Sequence, residues 1–324
     1  MITLTRLIAR PYTDADVQAV CDLLNLCDAA DHLDDNYAVD DLQTEFNHPE
    51  LSKEDDLHLW HDEAGQLLGF GQVWLPSGGE DDVTEGSLYM RVHPDARTAE
   101  LHDEIMAWAE NRVRVVSQER GQPARIRSGT KDYDTARLDL LAAHGYQCVR
   151  YSYKMERPLD EPIPSAQLPE GFTLTNTQDE AGMARWVESF NLSFIDHWNF
   201  HPTTLEGHKH WLSSPTYRPD GDLVALTPEG DTVAAFCLCW IDPENNARNN
   251  RSEGWIDVLG TRRGYRKIGL GRAILLAGMH YLKAQGMATA VLGVDAENPT
   301  GALRLYESVG FRKQSTWVTY RKDL

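Results

Sequence analysis

The sequence predicts an α+β (mixed α/β) protein built from two similar halves. Each half reads as a strand, one or two helices, a hairpin of strands, a turn, a long helix, a strand, a helix and closing strands. The chain also matches itself at a nearly constant offset of about 166 positions. A repeat this long indicates a duplicated domain, because each copy is large enough to bury its own apolar face.

Short matching segments support the duplication. Asn25 and Asn191 each close an amphipathic, helix-like stretch. Three further segments of the first half match the second half: 70–74 with 236–240, 85–86 with 253–254, and 143–146 with 308–311.

A segment rich in proline separates the two halves. Residues 157–169 contain four prolines and little periodic pattern, which is typical of a linker. We therefore predict an N-terminal domain over 1–156 and a C-terminal domain over 170–324.

The composition limits the classes of partner and compartment. The formal net charge is −19, with 50 Asp and Glu against 31 Lys and Arg, which argues against nonspecific binding to nucleic acid or to an anionic membrane. No stretch approaches the roughly 20 apolar residues of a membrane span, and the first residues lack a signal-peptide core, so we expect a cytoplasmic protein. The 5 cysteines include no CxxC pair, so neither a disulfide framework nor a structural zinc site is predicted.

A basic, glycine-rich turn is the most informative local feature. The run 266–271 (RKIGLG) stands between a predicted strand at 253–260 and a predicted helix at 272–284. Gly269 and Gly271 let the backbone approach a ligand, and the amides that open a helix favour an anion. Five cations lie close together here: Arg262, Arg263, Arg266, Lys267 and Arg272. The turn therefore predicts a phosphate site.

The elements around this turn follow from apolar patterning. Alternation along the strand before the turn places Glu253, Trp255 and Asp257 on one face. Cys237 and Cys239, two positions apart in an apolar run, are predicted to share one face of a strand as small core residues. The remaining elements are a helix ended by Gly286, a buried strand at 290–294 and a helix at 301–309 capped by Gly310.

Two motifs together resemble a known family. The run RKIGLG and the later string ENPTGALRLYESVGF, in this order, resemble the GNAT acetyltransferase superfamily, and the resemblance covers roughly residues 170–324. Because the chain is also duplicated, it resembles the tandem members of that superfamily. It implies two tandem GNAT-like domains, each with a central mixed, mostly antiparallel sheet flanked by helices. It also implies an acetyl-CoA-dependent N-acetyltransferase that acts on a primary amine of a small molecule by direct attack in a ternary complex.

The resemblance also implies roles for particular residues. Amides around Ile268, Gly269, Gly271 and Arg272 would bind the coenzyme A pyrophosphate, with added charge from Arg266 and Lys267. Backbone near Leu259 and Thr261 would pair with the pantetheine arm, and Asn298 would hydrogen-bond the cofactor. Tyr306 falls at the position of the general acid that protonates the leaving thiolate.

The general base is left open between two carboxylates. The family usually takes this base from an acidic residue on the strand before the turn, and Trp255 occupies one common position of that acid. Glu253 and Asp257, two residues to either side, are the candidates. A carboxylate is the required type because an ammonium must lose a proton before it attacks a thioester.

The first half lacks the same residues. The segment 97–102 (RTAELH) replaces both glycines, and Leu141 and Tyr133 stand where the second half has Tyr306 and Asn298. We therefore predict that the N-terminal domain is degenerate and non-catalytic.

Other functions are less well supported by the residues. A non-catalytic acyl-CoA-binding or interaction module is the main alternative, whereas a dinucleotide site lacks its third glycine. The aromatic stretch 190–202 lies where the family usually forms its acceptor site. The histidines in and after it lack a metal-binding motif, so no metal is predicted. We expect a monomer or homodimer.

Overall fold

The computed structural model describes residues 6–33, 35–78, 82–176 and 179–324. The chain divides into two compact units. The first consists of Met1–Val149 together with Val318–Leu324, and the second of Arg150–Trp317. The predicted linker segment lies inside the second unit, so these bounds differ from the proposed domain bounds, which stay a prediction.

The first unit begins with a short strand and a long helix. Its helices and strands, in chain order, are β1 (Ile8–Pro11), α1 (Val17–Asp31), α2 (Val39–Phe46), α3 (Lys53–Asp56), β2 (Leu57–His61), β3 (Leu67–Trp74), β4 (Thr84–Val92), α4 (Ala99–Arg120), β5 (Ala124–Lys131) and α5 (Thr135–Ala143). The strand order is β1-β2-β3-β4-β5, and only β4 and β5 pair in parallel.

The second unit repeats this sequence of elements. The strand β6 (Gln147–Pro158), which enters this unit at Arg150, leads into β7 (Thr173–Asn176), α6 (Glu180–Phe194), α7 (Leu205–Trp211), β8 (Asp222–Leu226), β9 (Val233–Trp240), α8 (Pro243–Arg248), β10 (Glu253–Thr261), α9 (Leu270–Ala284), β11 (Thr289–Asp295), α10 (Ala302–Ser308) and β12 (Arg312–Asp323), whose residues from Val318 onward belong to the first unit. Its strands are ordered β6-β11-β10-β9-β8-β7, with β10 and β11 parallel. A mixed, mostly antiparallel sheet with helices in each unit confirms the predicted fold class.

Helix α9 packs closely on the sheet of the second unit. A Cβ atom added at Gly278 would lie 2.5 Å from Cys237 Sγ and 3.2 Å from Cys239 Sγ, so only glycine permits this approach. Both cysteines are buried and their sulfurs are 3.9 Å apart. The prediction that they share a core-facing side of one strand is confirmed.

A β-bulge at Asp257 interrupts the alternation along β10. Ile256 pairs with Cys239 and Val258 pairs with Leu238, so Asp257 is the extra residue. Before the bulge, Ile256 belongs to the core under α9, whereas after it Val258 packs into the opposite core around Trp186. One extra residue exchanges the two faces of a strand. Side chains after Asp257 therefore lie on the face opposite to the one that a regular alternation along β10 would give them.

No helix in the described ranges has the length and apolar character needed to cross a membrane.

Candidate active site

A cavity of about 800 Å³ opens in the second unit beside the end of β10. Its walls come from the glycine turn, the start of α10 and the segment that follows α6. Most of the predicted cofactor and acid residues line it: Leu259, Thr261, Arg266, Lys267, Gly269, Gly271, Arg272, Asn298 and Tyr306. Ile268, Glu253 and Asp257 are not in its lining.

The glycine turn presents uncapped amides to this cavity. Gly269 is the N-cap of α9 with φ of +90°, and no side chain caps the helix. The first helical hydrogen bond runs from the N–H of Ala273 to the Gly269 carbonyl, at 3.0 Å. The amides of Leu270, Gly271 and Arg272 are therefore left to meet an anion, as helix N-termini do.

Gly271 keeps this surface free of a side chain. A Cβ atom there would lie 3.0 Å from Thr261 Oγ1, closer than ordinary contact. A side chain at this position would push the Thr261 hydroxyl aside and would stand beside the helix amides.

Most cations of the turn are engaged with the protein. Arg262 Nη2 lies 3.3 Å from Glu188, Arg263 and Arg266 both pair with Asp196, and Arg272 donates to Ser308 Oγ at 2.8 Å. Within the described part of the chain, Lys267 makes no ion pair. It also has a positive φ of 65°, which is uncommon for a side-chain-bearing residue. Lys267 is therefore the cation of the turn with the fewest competing partners.

The edge of β10 that faces β11 is open beside the cavity. In the described chain, the parallel pairing of these strands covers Glu253–Ile256 with Thr289–Leu292 and then stops. Further along, Val258–Thr261 still pairs with β9 on the other side. The free backbone groups of this edge fit the predicted pairing with a pantetheine arm.

Asn298 and Tyr306 line the cavity from α10 and the turn before it. The Asn298 Oδ1 atom accepts from the backbone and hydroxyl of Thr300, at 2.9 and 2.6 Å, which leaves its amide hydrogens to donate. Tyr306 is only 7% exposed and packs edge-on against Phe311. Burial raises the pKa of Tyr306 well above its ordinary value, so its hydroxyl stays protonated near neutral pH.

The two candidate bases occupy different environments. The Glu253 carboxylate lies 3.6 Å from Lys154 Nζ and 3.8 Å from Arg251, so two cations already engage it. Asp257 at the bulge is solvent-accessible, yet desolvation raises its pKa to about 6.

Trp255 stands on β10 between these two carboxylates. Its register partner on β9 is Trp240, whose ring stacks on Trp211 at 6.2 Å with an interplanar angle of 8°. Lys154 Nζ lies 5.3 Å from the centre of the Trp255 ring. This part of the strand therefore presents half-buried indole rings beside charged groups.

The sequence did not predict which residues at the end of α6 and just beyond it line the cavity. Ser193, Phe194, Asp196 and His197 line it, within the aromatic stretch noted above. Burial lowers the pKa of His197, and nearby Arg266 acts in the same direction, so the imidazole is neutral near pH 7. The only sequence signal was the density of aromatic residues, which does not by itself indicate a cavity wall.

Comparison with known proteins identifies this part of the chain. Residues 183–311 match the Acetyltransferase (GNAT) family. They form a GNAT acetyltransferase domain. The predicted resemblance is thereby confirmed.

Relatives extend the similarity beyond the GNAT domain. A mycothiol acetyltransferase of Thermobispora bispora is 32% identical over 183 residues, which are 56% of this chain and 61% of that protein. The chain thus matches about three fifths of that relative's length. A mycothiol acetyltransferase of Stackebrandtia nassauensis is 27% identical over 97% of this chain and 98% of its own.

Solved structures match the whole chain. A GCN5-related N-acetyltransferase from Sphaerobacter thermophilus has a TM-score of 0.73 and 25% identity, and the match covers 99% of this chain and 97% of the other. A tandem GNAT protein from the clavulanic acid biosynthesis pathway has a TM-score of 0.72 and 16% identity, with 98% of each chain covered. The predicted GNAT fold is confirmed, and the neighbours of the whole chain include a tandem GNAT protein.

The first unit closes the helix terminus that the GNAT domain leaves open. At the start of α4, Thr98 Oγ1 accepts from the N–H of Leu101 at 3.3 Å, so a side chain caps the helix. Thr98 is the N-cap of α4 as Gly269 is the N-cap of α9, and Glu100 stands two residues later, where α9 has Gly271. A capping hydroxyl and a carboxylate thus replace the two glycines at the start of the helix.

Two arginines stand at further positions where the GNAT domain has small cavity-lining residues. Phe70 pairs with Arg91 as Phe236 pairs with Gly260, and Arg137 lies in the first turn of α5 as Ala302 lies in the first turn of α10. Arg91 is 5% exposed. The Nη1 atoms of Arg91 and Arg137 both donate to the Met90 carbonyl, at 3.1 and 3.3 Å, so the two guanidinium groups are close together. Desolvation and the charge of Arg91 lower the pKa of Arg137 to about 10.

Proposed function

We propose that the second unit binds acetyl-CoA and transfers its acetyl group to a primary amine of a small molecule. The observation that carries this proposal is one cavity that combines uncapped amides at Gly271, the donor amide of Asn298 and the protonated hydroxyl of Tyr306. Acetyl-CoA would supply the acetyl group as a thioester. The relatives share only moderate sequence identity with this chain, so the proposed acceptor class rests on the chemistry of the site.

The residues present fit this co-substrate. The helix amides suit its diphosphate, the open edge of β10 at Leu259 and Thr261 suits an amide-containing arm, and Lys267 adds a cation. Gly271 leaves room where a side chain would collide with Thr261. Ile268, half exposed in the turn, would contribute its backbone only.

Asp257 is the base that the geometry favours over Glu253. An acceptor that arrives as an ammonium must give up a proton, and the raised pKa of Asp257, about 6, suits it to accept one. The Glu253 carboxylate is instead engaged by Lys154 and Arg251. Asp257 lies two residues from Leu259 on the same strand, so it is near the cavity without lining it. It would accept the proton directly or through one water.

Tyr306 would act as the general acid. Its buried hydroxyl lines the cavity and makes no hydrogen bond to other described residues, so its proton is available to a leaving sulfur. Dispersing charge on the leaving thiolate is the step at which such a donor lowers the barrier.

The first unit would bind no acetyl-CoA. Thr98 caps the helix that would hold the diphosphate, and Arg91 and Arg137 stand where the other unit has a glycine and an alanine. Calorimetric titration with acetyl-CoA is the test, with one site per chain as the expected result. Two equivalent sites would overturn this part of the proposal.

The activity test is a panel of primary amines with acetyl-CoA, followed by the release of free coenzyme A thiol. The panel would include mycothiol-type acceptors, because the relatives carry that name, and aromatic amines, because Trp255 and Trp240 flank the candidate bases. Trp255, in place of a carboxylate, favours the alternative of a non-catalytic acyl-CoA-binding module. Tight acetyl-CoA binding without turnover of any amine would support that alternative.

A further inference from the structure

Arg266 makes three contacts that join separate segments of the second unit. Its Nε atom donates to the Thr261 carbonyl at 3.0 Å, and Nη2 donates to the Ser193 carbonyl at 2.8 Å. Its Nη1 atom donates to Asp196 at 3.3 Å. All three guanidinium nitrogens are thus occupied by protein oxygens at the end of β10, at the end of α6 and just beyond it.

The first unit contains the same arrangement. Arg97 Nε lies 3.4 Å from the carbonyl of Val92, the last residue of β4, as Thr261 is the last residue of β10. The Nη atoms of Arg97 donate to both oxygens of Asp31, at 2.8 and 2.7 Å. Asp31 ends α1, as Asp196 closely follows α6.

The comparison separates two possible roles of this arginine. The first unit has lost both glycines of the turn and carries Glu100 there, yet it keeps the arginine together with its contacts to a strand-end carbonyl and an aspartate. An arginine needed only for phosphate would have no reason to retain a carbonyl and an aspartate as partners in that unit. The shared feature is the link between the strand end and the helix end.

In the second unit, this link holds one wall of the cavity. Ser193, Asp196 and His197 line the cavity from the segment that Arg266 binds. Arg263 also pairs with Asp196 but is 59% exposed, against 24% for Arg266, so its ion pair is the more strongly screened. Arg266 is therefore the arginine that fixes this wall.

We propose that Arg266 is a positioning residue that fixes segment 193–197 against the end of β10, and that it does not bind the acetyl-CoA diphosphate. Segment 193–197 then forms the acceptor side of the cavity. Only the acceptor part of this inference rests on the proposed function.

The test compares Arg266→Gln and Arg266→Lys with the matched variant Arg97→Gln in the full-length protein. Acetyl-CoA affinity is measured by calorimetry, backbone hydrogen exchange by mass spectrometry, and KM for the acceptor by the thiol-release assay. Exchange within 193–197 should rise in both Arg266 variants, while the acetyl-CoA Kd changes by less than about threefold. The acceptor KM should rise by about tenfold.

Lysine separates charge from geometry. Arg266→Lys keeps the positive charge but loses the planar guanidinium group, whose three nitrogens bind three separate oxygens. It should therefore show the same exchange, acetyl-CoA Kd and acceptor KM as Arg266→Gln. Arg97→Gln should raise exchange around Asp31 and leave acetyl-CoA Kd and acceptor KM unchanged.

The opposite pattern would overturn the proposal. A loss of about tenfold or more in acetyl-CoA affinity for Arg266→Gln, restored by lysine and without a change in exchange, would assign Arg266 to the diphosphate. If Arg266→Gln does not fold, Asp196→Asn provides the same exchange and affinity comparison. If the wild-type protein binds no acetyl-CoA, the proposed function fails, whereas the exchange comparison still decides whether Arg266 fixes the wall.

Discussion

Asn25 and Asn191 make the same pair of hydrogen bonds in the two halves of the chain. Asn25 Nδ2 donates to the Tyr37 carbonyl at 3.0 Å, and its Oδ1 accepts from the Tyr37 N–H at 2.9 Å. Asn191 binds Thr203 in the same way, at 3.0 and 2.9 Å, and in both cases the partner lies 12 residues later. Each asparagine thus ties the segment after a helix back to that helix, and the match indicates duplication more directly than the weak sequence repeat.

Replacing either asparagine by alanine should cost similar amounts of stability. Each asparagine side chain satisfies one half-buried backbone N–H and one half-buried backbone carbonyl. We therefore expect Asn25→Ala and Asn191→Ala each to lower the free energy of unfolding by about 1–3 kcal/mol. Urea denaturation measures this loss. A large effect for one variant and none for the other would show that the two bridges are not equivalent.

Glutamate at position 271 should abolish acetyl-CoA binding. Its Cβ atom would lie 3.0 Å from Thr261 Oγ1, and its carboxylate would stand before the helix amides that should hold a diphosphate. Calorimetry measures the binding. His102→Glu places the same charge in the first turn of α4 in the first unit and should leave the affinity unchanged. Retained binding by Gly271→Glu would refute the phosphate assignment.

The sequence could predict the parts of the site that depend on local motifs. The turn at Gly269 and Gly271, Asn298 and Tyr306 each lie in short segments whose residues determine their own backbone shape, and all of them line one cavity. The fold class followed from patterning that repeats in both halves. The side of the sheet on which Asp257 lies could not be predicted. A bulge depends on how the two strands pair, and here Ile256 and Val258 pair with the adjacent residues Cys239 and Leu238 of β9.

One signal of the bulge was nevertheless present in the sequence. Between Gly254 and Arg266 the chain is one residue longer than between Gly86 and Arg97 in the first half, which is what an inserted residue in a strand produces. The pairing of Asp196 with Arg263 had no such signal. These residues are 67 positions apart, and a contact over that distance is set by how α6 packs on the sheet.

Phenylalanine at position 306 should reduce turnover while leaving acetyl-CoA binding nearly unchanged. The change removes the buried hydroxyl that would protonate the thiolate and keeps the ring that packs on Phe311, so we expect kcat to fall by about 10²-fold or more. Steady-state assays of thiol release give kcat and KM separately. Tyr281→Phe, on α9 outside the cavity lining, is the control and should keep its kcat. Unchanged turnover in Tyr306→Phe would remove this tyrosine from the role of acid.

The pH dependence of catalysis should reveal which carboxylate is the base. A base must be deprotonated to act, and desolvation raises the pKa of Asp257 to about 6, so kcat/KM should rise as the pH increases through about 6 and level off above it. Asp257→Asn should remove this rise and lower the plateau by about 10²-fold. Glu253→Gln should keep both the rise and most of the activity, because that carboxylate is already engaged by Lys154 and Arg251. If the glutamine variant lost the rise and the asparagine variant kept it, the proton would instead pass to Glu253, and the bulge at Asp257 would serve only to separate the strands.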